Sequence, residues 1–220
     1  KKTGARLHIF HVSTAKELEL FTNNIQLKDK QITSEVCIHH LTFSDEDYNK
    51  FGSKIKWNPA IKTSNDREKL WDALNNDLID VIATDHAPHT IEEKQNLYTE
   101  CPSGGPLVQH SLVSMLEAYH NEKISLEKIV QKMSHNPAIL FDIEKRGFVR
   151  EGFYADLVIF DLNSPWKVLK DNLLYKCSWS PFENKTFKSR ILHTLVNGNL
   201  VFSHGKINES SLGMKIMFKR

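Results

Sequence analysis

Disulfide chemistry has little to work with in this chain. Its three cysteines, Cys37, Cys101 and Cys177, are widely spaced and form no Cys-x-x-Cys pair. An odd count in a sequence of this length fits reduced thiols in a cytoplasmic protein and excludes a disulfide-framed secreted scaffold. Charge of one sign is also scarce. Lys and Arg number 29 against 27 Asp and Glu, a net charge of +2, and no basic cluster is long enough to suggest a nucleic-acid or membrane partner. No apolar run approaches the ~18 residues a membrane helix needs. The opening Lys1-Lys2-Thr3-Gly4 has neither the apolar core of a signal peptide nor an initiator Met, so the chain is expected to begin inside a longer protein. What remains is an ordinary globular composition, 40% hydrophobic and 25% charged, which excludes disorder.

Four β-like runs stand out: 6–12, 32–38, 54–58 and 78–84. Helix signals alternate with them. Thr14-Ala15-Lys16-Glu17 has capping-box spacing, with Leu18, Phe21 and Ile25 following at helical intervals. Ser44 precedes three acids, and Asn65-Asp66-Arg67-Glu68 opens a third helix with Leu70 and Leu74 on one face. From 105 to 142 two apolar stripes, Leu112-Met115-Leu116-Tyr119 and Ile129-Val130-Met133, predict helices, with Asn136-Pro137 separating off a last short one. After Gly147 the pattern becomes β: 156–160 reads as a strand, and 191–196 with 199–202 as a hairpin on an Asn197-Gly198 turn. Alternating strands and helices predict a parallel sheet of βα units over 1–145, followed by a small β-element over 146–220.

The chemistry concentrates at strand ends. Ala83-Thr84-Asp85-His86-Ala87-Pro88-His89 closes an apolar run; His11 closes another, and His40 follows a third. Barrel enzymes place their chemistry at the C-terminal ends of parallel strands. Alternation predicts Leu7, Ile9 and His11 on one face and Val81, Ala83 and Asp85 on one face, each towards a barrel interior. Imidazole and carboxylate donors suit zinc, which lowers the pKa of bound water, and Asp85 could move the proton. Taken alone, a strand-end His is more often a hydrogen-bonded structural residue, and a strand-end Asp more often a helix cap. His8 reads as structural, His39 and His86 as either packing or ligand-orienting groups, and His110, His120, His135, His193 and His204 as surface or packing residues.

Four ordered motifs sharpen this. His11-Val12-Ser13-Thr14, Glu35 to His40-Leu41, Asn58-Pro59-Ala60 and the Ala83–His89 run with Glu93-Lys94 resemble dihydroorotases, as does the later Gly152-Phe153-Tyr154-Ala155-Asp156-Leu157-Val158. The resemblance implies an α/β fold, the C-terminal part of a (β/α)₈ TIM-type barrel with a small C-terminal β-element. It also implies a zinc enzyme, with one or two ions, interconverting L-dihydroorotate and N-carbamoyl-L-aspartate in pyrimidine biosynthesis. His11 then matches the last histidine metal ligand, and Asp85 the final ligand and catalytic acid–base. Asn58, His89, Ser103 and Gly104 match substrate contacts. Glu35, His39 and His40 fall behind the ligands, with direct metal contact by His40 the lesser alternative.

Two departures bear on the match. Asn58-Pro59-Ala60-Ile61-Lys62 stands where the family commonly has Asn-Pro-Pro-Leu-Arg, and Lys cannot reproduce a bidentate guanidinium contact. The family's His-x-His pair, substrate-binding Arg, bridging ligand and further His have no counterpart. Only ten residues precede His11, and His8 has the wrong spacing. The expected chain is thus the last three or so barrel strands of a dihydroorotase, binding a small-molecule substrate, inactive in isolation and open to homo-oligomer formation. The rivals are another cyclic amidohydrolase, such as a dihydropyrimidinase or allantoinase, and a non-catalytic subunit that scaffolds a partner such as aspartate transcarbamoylase.

Overall fold

The computed structural model describes residues 3–219. Three short parallel strands, β1 (Leu7–Ile9), β2 (Ile32–Cys37) and β3 (Val81–Ala83), lie side by side in that order. The register pairs His8 with Thr33, Glu35 with Val81 and Cys37 with Ala83. Three adjacent parallel strands make an arc, so the barrel is not closed within these residues. Ile9, Val36 and Ile82 turn towards the helices and join one hydrophobic core with Leu41, Leu70, Leu74, Leu107 and Val113. The opposite face therefore carries His8, Thr33, Glu35, Cys37, Val81 and Ala83. For β3 this is the expected orientation. For β1 it reverses the expected one, because Leu7 and Ile9 lie on the helix side of the sheet.

The helices are α1 (Ile38–Thr42), α2 (Tyr48–Phe51), α3 (Ser64–Asn75), α4 (Ile91–Lys94), α5 (Ser111–His120), α6 (Leu126–Val130) and α7 (Asn136–Leu140). The α3 cap falls at Thr63, whose Oγ1 accepts the Asp66 N–H at 3.1 Å, and Leu70 and Leu74 are buried as expected. Three expectations fail locally, and His40 follows its strand as expected but within a helix. Thr14 and Glu17 do bond reciprocally, yet the turn is a single 3₁₀ segment, Lys16–Leu20, ending where Phe21 becomes extended. Residues 54–58 form no strand; Gly52–Ile55 is 3₁₀ and the chain then runs as a loop. His39 and His40 lie inside α1, past the end of β2. Asn136-Pro137 does not break the helix. A π-turn, Gln131–His135, joins α6 to α7, and Pro137 sits at the start of α7, directly after it.

A buried knot fixes the N-terminal ends of β2 and β3. The Lys30 ammonium lies 2.6 Å from an Asp80 carboxylate oxygen, and the other oxygen accepts the Ser34 N–H. Asn136 donates to the Asp80 carbonyl at 2.7 Å. Beyond the helices, β4 (Leu157–Asp161), β7 (Arg190–Val196), β8 (Asn199–Ser203) and β9 (Lys206–Ile207) form an antiparallel sheet. The expected hairpin is present, with Asn197 and Gly198 at φ of 52° and 80°. A two-stranded ribbon, β5 (Trp166–Lys167) with β6 (Thr186–Phe187), packs with Val168 and Phe182 into the main core.

Candidate active site

Two residues past the ends of β1 and β3, the chain turns abruptly. His11 and Asp85 have φ of 41° and 46°, a left-handed conformation that costs non-glycine residues about 1–3 kcal/mol. These paired turns interrupt the strict alternation of each strand just where His11 and Asp85 stand. Burial pushes the Asp85 carboxyl above the ordinary carboxylate range; His11 pulls it down and Glu35 pushes it up. Asp85 is thus a half-buried carboxyl within electrostatic reach of an imidazole. Glu35 is itself held by His8, whose two ring nitrogens bond Thr33 Oγ1 at 2.9 Å and Glu35 Oε2 at 3.1 Å. His8 is a satisfied structural histidine.

Behind them lie three groups of suppressed ionisation. Cys37 is fully buried, and burial reinforced by Glu35 and Asp85 raises its thiol well above the usual range, so no thiolate forms at neutral pH. His39 stacks on Trp57 at 4.4 Å, and neither ring nitrogen has a hydrogen-bond partner. Its pKa is lowered by burial, then by His40 and His11, with the Thr84 backbone opposing. His40 donates through Nε2 to the Pro59 carbonyl at 3.1 Å, leaving Nδ1 as the free acceptor; burial brings its pKa to about 4.

The donor set fits a divalent ion in kind, since His11 and Asp85 supply imidazole and carboxylate and the buried histidines beside them carry unpartnered nitrogens. It falls short in number: among the described residues, no group of three or more His, Cys, Asp and Glu side chains comes together to hold a metal.

The expected substrate contacts lie on three loops, and the structure does not gather them into one groove with this pair. Asn58 is exposed on the loop after the 3₁₀ turn. His89 lines an open groove of about 540 Å³ with His86, Glu93, Tyr175 and Cys177, to which His11, Asp85 and Asn58 do not contribute. Its Nδ1 lies 3.7 Å from Glu93 Oε2, and its carbonyl accepts the Trp179 indole N–H at 2.8 Å. His86 accepts the backbone N–H groups of Leu107 and Val108 on Nδ1, clipping the Asp85–His89 loop to the segment before α5. Ser103 is half-buried and Gly104 buried. At φ of 114° Gly104 packs so closely that a Cβ would lie 2.5 Å from the Ala87 carbonyl oxygen. That contact presses the Ser103–Gly104 loop onto the Asp85–His89 loop. Of the remaining histidines, His110 is buried beside the Tyr175 hydroxyl at 3.0 Å, His120 bonds Ser189 and His135 stacks on Phe148.

Sequence reasoning missed Lys94 and Trp57 as parts of the site. Lys94 is 1% exposed, an unusual burial for an ammonium that the Glu93-Lys94 dipeptide gave no reason to expect.

The chain belongs to the amidohydrolase family, whose profile matches residues 3–201. Among curated proteins it is 34% identical to the dihydroorotase of Clostridioides difficile over 203 residues, 92% of this chain and 47% of that protein. It is 35% identical to the dihydroorotase of Pyrococcus furiosus over 212 residues, 96% and 49% of the two chains. Among solved structures, the L-hydantoinase (dihydropyrimidinase) from Arthrobacter aurescens superposes with a TM-score of 0.85 at 29% identity, covering 94% of this chain and 47% of that one. The chain spans about half the length of the relatives it matches, and the resemblance read from its motifs is borne out. Among the described residues, no helix is long and apolar enough to cross a membrane.

Proposed function

We propose that this chain carries the C-terminal part of a dihydroorotase-type active site, in a cytoplasmic enzyme of pyrimidine biosynthesis that opens and closes a cyclic amide. The observation that carries the reading is the pairing of His11 with Asp85 at two left-handed strand ends, in a chain about a third identical to dihydroorotases over nine-tenths of its length. In the hydrolytic direction Asp85 accepts the proton of the attacking water and delivers it to the departing ring nitrogen. His39 and His40, neutral and buried, add no charge behind Asp85. Asn58, Ser103, Gly104 and His89 orient the substrate, His89 being steadied by Glu93 and Trp179.

Zinc suits the donor set. His11 and Asp85 would hold one or two ions with further donors from outside these 220 residues, and bound zinc supplies activation of the attacking water. With two donors present, the isolated 220 residues bind metal weakly and turn over nothing. The hydantoinase likeness favours a second reading, a dihydropyrimidinase-type specificity on the same scaffold. The retained His11, Asp85 and His89 speak against a purely scaffolding subunit, which has no use for them. Assaying the full encoded protein on L-dihydroorotate, N-carbamoyl-L-aspartate, hydantoin, dihydrouracil and allantoin decides between them. Preferred turnover of the first two is expected; preference for hydantoin or dihydrouracil moves the assignment to the second reading. Measurable dihydroorotate hydrolysis by the purified 220-residue chain would sink its inactivity.

A further inference from the structure

Lys94 ends the short helix α4, and its side chain runs inward until the ammonium is out of water. An ammonium has three N–H donors and no acceptor. All three are used, each on a backbone carbonyl: Pro102 at 2.9 Å, Gly104 at 2.9 Å and Lys56 at 3.2 Å. None of the ion pairs among the described residues includes Lys94. Its burial, which lowers its pKa to about 8, is met by carbonyl oxygens and by no carboxylate. That is a costly way to stabilise a loop unless the position of the loop matters.

The three carbonyls are not scattered. Those of Pro102 and Gly104 flank Ser103, and that of Lys56 lies two residues before Asn58. The Lys56 carbonyl also accepts the Gly104 N–H at 2.9 Å, so the two segments are joined both through Lys94 and directly. Lys56 extends the stitching by donating its own ammonium to the carbonyls of Tyr98 and Cys101. Gly104 in turn lies against Ala87 in the Asp85–His89 loop. At its other end α4 begins with a Thr90–Glu93 capping box, one residue after His89. One buried cation thus touches or closely neighbours every segment that carries a proposed substrate contact.

We propose that Lys94 is a positioning residue: it fixes the backbone on both sides of Ser103 and ahead of Asn58 in one register, and so sets how the site holds its substrate. The inference rests on the reading that Asn58, Ser103 and Gly104 face substrate; the bonds themselves do not.

The test uses the full encoded protein as wild type, Lys94→Met, which keeps the apolar stem and removes every donor, and Lys94→Gln, which keeps two. Hydrogen–deuterium exchange without substrate is read beside steady-state kinetics. In Lys94→Met the amides of 103–105 are expected to exchange about tenfold faster or more, with β2 and α3 unchanged. KM is expected to rise about tenfold or more while kcat stays within about threefold, with Lys94→Gln intermediate. Unchanged exchange at 103–105, or an unchanged KM, overturns the proposal. So does faster exchange throughout, or failure of both variants to fold, since either makes Lys94 a residue of general stability. Wild-type protein that ignores dihydroorotate but opens another cyclic amide defeats the substrate assignment alone, because the exchange measurement contains no substrate.

Discussion

Asp85 and Asp77 show how differently two carboxyls of one chain are used. Asp85, half-buried at a strand end, is raised by burial and lies within electrostatic reach of His11. Asp85→Asn keeps shape and removes the base, so kcat of the full encoded protein is expected to fall by about 10²–10⁴-fold with the fold intact, checked by steady-state assay and circular dichroism. Asp77 sits at the opposite end of β3. Burial alone would raise its pKa, but hydrogen bonds from Lys132 and Lys128 outweigh that and lower it. A depressed carboxyl stabilises the fold above its unfolded pKa and loses that contribution as pH falls through the folded value. Asp77→Asn is therefore expected to lower the melting temperature at pH 7, with the difference from wild type shrinking as pH falls through the folded-state pKa of Asp77; equal melting temperatures at pH 7 would contradict this. At this scale the sequence was informative about Asp85 and His11, because their residue types and strand-end positions are written in it. It was silent on Lys94, whose burial depends on three carbonyls that meet only in the folded chain.

Among the elements, capping predicts helix starts better than it predicts helix lengths. Thr14–Glu17 and Thr63–Asp66 both form reciprocal bonds, yet the first yields one 3₁₀ turn and the second a helix of 12 residues. The difference is packing: Lys16–Leu20 contributes no buried residue, whereas α3 buries Leu70, Trp71, Ala73 and Leu74. Removing the α3 cap with Thr63→Ala is expected to cost about 1 kcal/mol of stability in denaturant unfolding, with activity unaffected. The strand expected at 54–58 fails for a related reason. Ile55 and Trp57 alternate as a strand would, but they are buried by helices and by stacking on His39 instead of by a neighbouring strand. Period-two patterning records burial without saying what does the burying.

For the molecule as a whole, the arrangement of β1, β2 and β3 leaves an arc with two unpaired borders. Leu7 and Phe10 on the β1 side are 50% and 60% exposed. Exposed strand borders with apolar neighbours invite pairing with other chains. The 220-residue chain alone is expected to self-associate with rising concentration in sedimentation velocity, and Leu7→Lys with Phe10→Lys to reduce it. A concentration-independent monomer would contradict the expectation. The parallel order of the three strands was legible from alternating strand and helix patterns. The face assignment of β1 was not, since which side meets the helices is settled by the register with β2.

The left-handed backbone at His11 and Asp85 also limits what evolution or an engineer can install there. Asn and Gly tolerate that conformation, whereas a β-branched side chain such as Val does not. A survey of all substitutions at these two positions would thus divide by backbone shape before it divides by charge. Stability assays would separate Val or Ile from Asn at once, and only within the tolerated group would loss of activity report on the chemistry of the side chain.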